Sequence, residues 1–132
     1  MKPNKSGTVL MYNCSGPEYS KLRQVFAMLR IRMRPVQPDR YHLTLNELAL
    51  GEGEAVENAA QAIEERMLVF YGMNQAFLAQ VLEVIRLSKL PEIEFKAVVT
   101  TENQNWTSVQ LLEHLKEEKQ KIEAQEYLNC AS

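Results

Sequence analysis

One apolar pattern occurs twice along this chain, and no other feature constrains the fold as tightly. Val9-Leu10-Met11-Tyr12 matches Leu68-Val69-Phe70-Tyr71 at an offset of 59, and Leu22, Val25 and Phe26 fall on Val81, Val84 and Ile85 at the same offset. Met33 and Val36 fall on Phe95 and Val98 at an offset of 62, and Leu43-Thr44-x-x-Glu47-Leu48 falls on Trp106-Thr107-x-x-Gln110-Leu111 at 63. Two small loop insertions account for the drift. A unit of about 60 residues is a supersecondary block rather than a solenoid period, so the pattern predicts two pseudo-symmetric halves burying one shared core.

Each copy reads as strand, helix, strand, helix. Thr8 to Tyr12 is a short apolar run closed by the turn formers Asn13, Cys14, Ser15, Gly16 and Pro17, and Pro17 suits the first position of a helix. Leu22, Val25, Phe26 and Leu29 then recur at helical spacing, the stripe of an amphipathic helix over 18–30. Ile31, Met33 and Pro35 alternate with Arg30, Arg32 and Arg34, a period of two that predicts a half-exposed strand stopped by Pro38. Thr44 with Glu47 makes a capping box before Leu45, Leu48 and Ala49, and Gly51 closes that helix. In the second copy the run 67–71, the helix 75–87, the alternating Ile93, Phe95 and Ala97, and the box Thr107 with Gln110 repeat the order, ending in a long helix lined by Leu111, Leu112, Leu115 and Ile122.

The expected fold is therefore α/β, with pseudo-duplicated βαβα units sharing a four-stranded sheet and helices packed on it. It is read as a single domain over 1–132, with halves at about 8–50 and 67–122. The segment 52–66 carries Val56, Ala59, Ala60 and Ile63 at helical spacing and is expected to be a helical connector. A strand, crossover helix and strand in one sheet require parallel pairing. Continuous apolar strands belong at the centre and charged, alternating ones at the edges. The pattern leaves open whether the two central strands run parallel or antiparallel.

A chain of 132 residues can bury about two thirds of its unfolded surface without staples, so no cofactor or disulfide is expected. The longest uncharged stretch, Met67 to Leu82, contains Gly72, Asn74, Gln75 and Gln80 and is too short and too polar to span about 30 Å of hydrocarbon, so no membrane partner is expected. No apolar stretch of signal-peptide length follows Met1 to Gly7, and Cys14 and Cys130 lie far apart, which together give a cytoplasmic, reduced setting as the expectation. Net charge of −2 conceals a split: eight basic against two acidic residues in 1–46, and seven against fifteen in 47–132. Such a split could serve an anionic partner, but electrostatic matching between the halves or between subunits is its plainest reading; a homo-oligomer or a protein partner is the partner expected.

Two strand-end turns are the candidate ligand sites. The stretch Thr100-Thr101-Glu102-Asn103-Gln104-Asn105 leaves a strand and enters a capped helix, where α/β sheets hold ligands, and Thr100, Asn103, Asn105 and Thr107 could receive a small anion there. The same residues are also explained as cap and turn formers, with Trp106 packing beside Leu111. Asn13, Cys14 and Ser15 occupy the other turn. A thiol beside a helix N-terminus favours thiolate, so Cys14 is the best single nucleophile candidate, yet no Cys-x5-Arg or Cys-x-x-Cys spacing accompanies it and an inert buried cysteine is the plainer reading. His42 and His114 lie in separate halves, and no metal site is predicted.

Arg30, Arg32 and Arg34 are the core of the one basic concentration, and on an exposed strand face they could contact phosphates, with Tyr41 stacking on bases. A slightly acidic chain falls short of a typical nucleic-acid module, so this reading ranks last. Glu92 and Glu94 on the matching strand, or a second subunit, could neutralise the arginines instead. No dinucleotide-binding glycine motif, phosphate-binding loop or Ser-His-Asp order is present, and no catalytic residues are predicted.

Leu68-Val69-Phe70-Tyr71-Gly72, then an amphipathic helix, then Lys96-Ala97-Val98-Val99-Thr100-x-x-Asn103-x-x-Trp106-Thr107 and a helix rich in Leu and Glu resembles a family of small uncharacterised proteins of Firmicutes-type bacteria. That family is catalogued as domain of unknown function three-seven-eight-three. The resemblance is strongest over 67–121, and Met11-Tyr12-Asn13 with Arg32-Met33-Arg34-Pro35-Val36 extends it into the first half. It implies a bacterial, cytosolic protein and carries no activity, ligand or partner. The residues therefore favour a non-enzymatic interaction or regulatory module associating through an edge strand or the charged long helix. The alternatives are a small-molecule or anion-binding enzyme at the two turns, and a weak nucleic-acid binder through the arginine strand.

Overall fold

The computed structural model describes residues 7–14, 16–56 and 63–131, with side chains through residue 124. The chain is mixed α/β. Its elements are β1 (Thr8–Tyr12), a 3-10 turn (Pro17–Tyr19), α1 (Ser20–Met28), β2 (Arg32–Pro35), a second 3-10 turn (Pro38–Arg40), α2 (Leu45–Leu50), β3 (Met67–Tyr71), α3 (Gln75–Leu87), β4 (Phe95–Val98) and α4 (Ser108–Ala131). One four-stranded sheet has the order β2-β1-β3-β4. The pairs β1/β2 and β3/β4 are parallel, as their helical crossovers require, and β1/β3 is antiparallel.

The central position of β1 and β3 follows from their composition. Every residue of β1 and four of the five in β3 are buried, because helices cover both faces. Val9, Met11, Leu68 and Phe70 pack on Leu22 and Phe26 of α1 and on Val81 and Ile85 of α3. Leu10, Tyr12, Met67 and Val69 turn to the opposite face, against Leu45 and Leu48 of α2 and Leu111 and Leu112 of α4. Burying side chains of this kind stabilises the fold by roughly 1.5–3 kcal/mol each, which makes these two seams the main source of stability.

Local chemistry sets the element ends. Asn13 reverses the chain after β1 at a φ of 62°, and Gly72 does so after β3 at 75°. The first helix is shorter than its apolar stripe: a 3-10 turn takes Pro17–Tyr19, and Arg30, at a φ of 59°, ends the helical path before β2. Asn74 caps α3 by accepting from Phe77 N–H at 2.8 Å. The capping box of Thr44 and Glu47 starts α2, and Gly51, left-handed at 72°, ends it.

Three sequence expectations need correction. The connector is not helical at either end: 52–56 and 63–66 carry no helix, and 57–62 lies outside the described residues. The offset between the edge strands is 63 and not 62, because Thr8 pairs with Arg32 while Met67 pairs with Phe95. Arg32, not Met33, corresponds to Phe95. Finally, Ile122 does not join the packed side of α4. It is 59% exposed, since the sheet supports only the first turns of a helix about 36 Å long.

Candidate functional site

The two candidate turns lie at opposite ends of the sheet. β4 runs parallel to β3, and β3 antiparallel to β1, so the chain leaving β4 and the chain leaving β1 point in opposite directions. The residues of each turn are also engaged locally. Asn13 Nδ2 donates to the carbonyls of Ile63 and Glu65, at 2.7 and 2.8 Å, tying the turn to the segment that enters β3. Ser15 lies outside the described residues. In the other turn Asn103 Oδ1 accepts from Thr100 N–H at 2.8 Å and its Nδ2 donates to the Val98 carbonyl at 3.0 Å. Thr100 Oγ1 accepts from the N–H groups of Glu102 and Asn103. Thr107 caps α4 reciprocally with Gln110, and Asn105 is exposed. These are the bonds of self-contained turns.

Cys14 is not a poised thiolate. It is 1% exposed, its Sγ donates to the Tyr12 carbonyl at 3.3 Å, and burial pushes the thiol up to about 11 against a weaker opposing pull from Arg66. The arginine stripe is also broken up. Arg30 sits in the turn, Arg32 is exposed, and Arg34 Nε donates to the Ala49 carbonyl at 3.1 Å, at the C-terminal end of α2 where a cation suits the helix dipole. Glu92 and Glu94 cannot neutralise these residues, because β2 and β4 form opposite edges of the sheet. Among the described residues, no group of three or more His, Cys, Asp or Glu could hold a metal. No described helix is long and apolar enough to cross a membrane.

The edges themselves differ. Arg32 and Val36 direct their N–H groups inward, to the Gly7 and Met11 carbonyls, so Met33 and Pro35 face outward on β2. Phe95 and Val99 direct theirs inward, to Arg66 and Phe70, so Lys96 and Val98 face outward on β4. Corresponding places on the two edges thus hold Pro35, which has no N–H, and Val98, which has one. A proline on an exposed edge discourages strand addition. β4 carries none.

Grooves flank β4 on both faces. On the α4 side a groove of about 280 Å3 is floored by Ala97, Leu111 and Leu115, walled by Trp106 and His114, and rimmed by Glu102 and Glu118. Trp106 and His114 stack edge to face at 5.1 Å, and His114 Nε2 is 2.8 Å from Glu118 Oε1. An adjoining hollow behind the same two rings adds Glu113 and Glu117. On the α3 side a groove of about 210 Å3 is lined by Ile85, Leu90, Pro91 and Ile93 with Arg86, Glu92 and Lys96. Beside β2 the groove on the α2 side is as large, about 280 Å3, but is lined by Arg34 and Arg40, with Glu52 as its acidic residue.

Sequence reasoning picked out Thr100 and Asn103, which line the β4 groove, but missed His114, Leu115 and Glu118 and the outward groups of Lys96 and Val98. One signal was legible. Once the register is placed at 63, the repeat sets Pro35 against Val98 and Arg34 against Ala97.

No curated protein and no solved structure matches this chain. Residues 66–122, which hold β3, α3, β4 and the start of α4, match the family described as "Domain of unknown function (DUF3783)", so the resemblance read from the sequence holds over that span.

Proposed function

We propose that this chain is a non-enzymatic interaction module that takes a protein partner along the outer edge of β4. One observation carries the reading: of the two outward-facing positions on each edge where an added strand would find a donor, one differs, Pro35 on β2 against Val98 on β4. Strand addition uses main-chain hydrogen bonds for affinity and flanking pockets for alternate side chains. β4 offers both. Bacterial and cytosolic origin belongs to the same proposal and rests on the family resemblance and the reduced, buried thiol of Cys14.

Internal duplication is the second part of the proposal. Its support is the matched order βαβα in 8–50 and 67–131, the paired positive-φ residues Asn13 with Gly72 and Arg30 with Lys89, and the pairing of Leu10 with Val69 at the centre of the sheet. A copied unit that once had two like edges explains why guarding one of them is informative.

The test is cross-linking of the tagged chain at native abundance followed by mass spectrometry. Partner cross-links are expected at Lys96 and Lys119, which flank the β4 edge, and Val98→Pro is expected to remove them without lowering Tm by more than a few degrees. Cross-links confined to Lys21 and Lys89, or indifferent to Val98→Pro, would overturn the reading.

A further inference from the structure

We infer that the partner presents an extended segment in which basic and apolar residues alternate, the basic ones facing α4 and the apolar ones facing α3. This rests on the reading of β4 as the docking edge and adds the chemistry of what docks there. A strand laid beside β4 points successive side chains to opposite faces of the sheet. On the α4 face they enter a groove whose charged lining is Glu102 and Glu118, with Trp106 and His114 as its wall. Lys or Arg fits: the stem lies on Leu115 and Ala97, the head reaches carboxylate, and an indole face attracts cations. Of the neighbouring lysines of α4, Lys116 pairs with Glu65 and Lys119 lies over the ring of Phe95, at the start of β4, whereas the groove lies at its end, beside Ala97 and Val98.

On the α3 face the same strand meets Ile85, Leu90, Pro91 and Ile93, an apolar floor for Val, Ile or Leu. Its charged lining there is Arg86, paired with Glu83, Lys96 and a single carboxylate, Glu92, so a basic side chain gains less on that side than beside Glu102 and Glu118. Main-chain bonds come from the outward N–H and C=O of Lys96 and the N–H of Val98. The Val98 carbonyl already accepts from Asn103, which fixes where the added strand must leave the ladder.

A second copy fits the edge poorly. Two β4 edges side by side bring two acidic α4 rims together, and joining β4 to the β2 edge of another copy meets Pro35, which has no N–H to give.

Trp106 is the only tryptophan in the chain, so its emission reports on the groove directly. The probe is the capped peptide Lys-Val-Lys-Val-Lys-Val-Lys, titrated into the full chain, with Glu-Val-Glu-Val-Glu-Val-Glu as its counterpart. Saturable binding of the lysine peptide is expected, weakened about tenfold or more by Val98→Pro and by the surface pair Glu102→Gln with Glu118→Gln, and weakened further as salt rises from about 0.05 to 0.5 M. Equal binding of both peptides, no response from Trp106, or binding that survives Val98→Pro would overturn the inference. Sedimentation as a dimer that Val98→Pro dissolves would also overturn it, by showing a second copy on the edge. If a native partner cross-links at Lys96 while the lysine peptide fails, the chemistry falls and the docking edge stands.

Discussion

Thr44 and Thr107 form an antiparallel bridge with each other while each caps a different helix, α2 and α4. Around the bridge, Leu45 N–H donates to the Trp106 carbonyl at 2.9 Å and Asn46 N–H to the Gln104 carbonyl at 3.0 Å. Two helix starts are thus fastened together, and the segment entering α4 satisfies two of the first N–H groups of α2.

That arrangement predicts coupling between the caps. Thr44→Ala and Thr107→Ala should each cost about 1 kcal/mol of stability, the usual loss for a removed cap. Because loosening one helix start also loosens the bridge, the double variant should depart from additivity by about 0.5 kcal/mol or more. Urea denaturation of the four proteins measures this. Additive losses would mean that the two caps act separately.

Glu47 predicts an acid-sensitive contribution. Its carboxylate accepts from Thr44 N–H at 3.0 Å and from Thr44 Oγ1 at 3.1 Å, and these bonds hold it below its ordinary 4.5. Glu65 is depressed likewise, chiefly by its bond to Lys116. A carboxyl with a lowered folded pKa stabilises above its unfolded value and loses that contribution as pH falls through the folded one. Stability should therefore decline from about pH 5 toward pH 3. Glu47→Gln should keep the cap, since Gln110 plays the same part for α4, yet flatten the decline. An unchanged slope in that variant would remove Glu47 from the account.

Much of this fold was legible because burial writes itself into composition. The runs 8–12 and 67–71 are apolar throughout because helices cover both faces of β1 and β3, and the alternation around Arg32 and Lys96 marks the edges. Caps such as Thr44 with Glu47 are chemically explicit, so they read correctly too. The direction of β3 against β1 was not legible, because antiparallel and parallel central pairs bury the same residues. The candidate site was legible only in part, since grooves are made by residues far apart in sequence, such as Ala97, Trp106 and Glu118. For Cys14, proximity to a helix start offered a thiolate and apolar surroundings offered an inert buried thiol; the structure has the second, the plainer of the two readings.

Cys14 should be nearly inert in the native state. With its thiol raised to about 11 and its side chain 1% exposed, a Cys130→Ser variant should react with an aromatic disulfide reagent at pH 8 only through unfolding or local opening, orders of magnitude more slowly than in urea. The raised value also means that stability is intact below the ordinary 9 and falls as pH climbs from 9 toward 11. Rapid native labelling at pH 8 would contradict the burial.

Gly51 is held in place by two constraints. Its φ of 72° is left-handed, and a Cβ there would lie 2.8 Å from the Arg34 guanidinium that rests against the end of α2. Gly51→Ala should lower stability by about 1 kcal/mol or more. In an Arg34→Ala background, which already lacks the bond to the Ala49 carbonyl, Gly51→Ala should cost less, by its steric part, but still carry the backbone strain, a distinction that the four Tm values of the cycle resolve.

Tyr12 and Ser108 give the sharpest test of the α4 seam. Both are buried, and Tyr12 Oη lies 2.6 Å from Ser108 Oγ, joining the central strand β1 to the first residue of α4. Burial raises the phenol well above its ordinary 10, so no ionised form competes for the bond at neutral pH. Ser108→Ala strands a hydroxyl away from water and should cost about 1–3 kcal/mol. Tyr12→Phe strands the serine hydroxyl instead and should cost a comparable amount. The double variant leaves no unsatisfied group, so it should be more stable than Ser108→Ala alone. A double variant as unstable as the sum of the singles would show that this bond contributes nothing beyond packing.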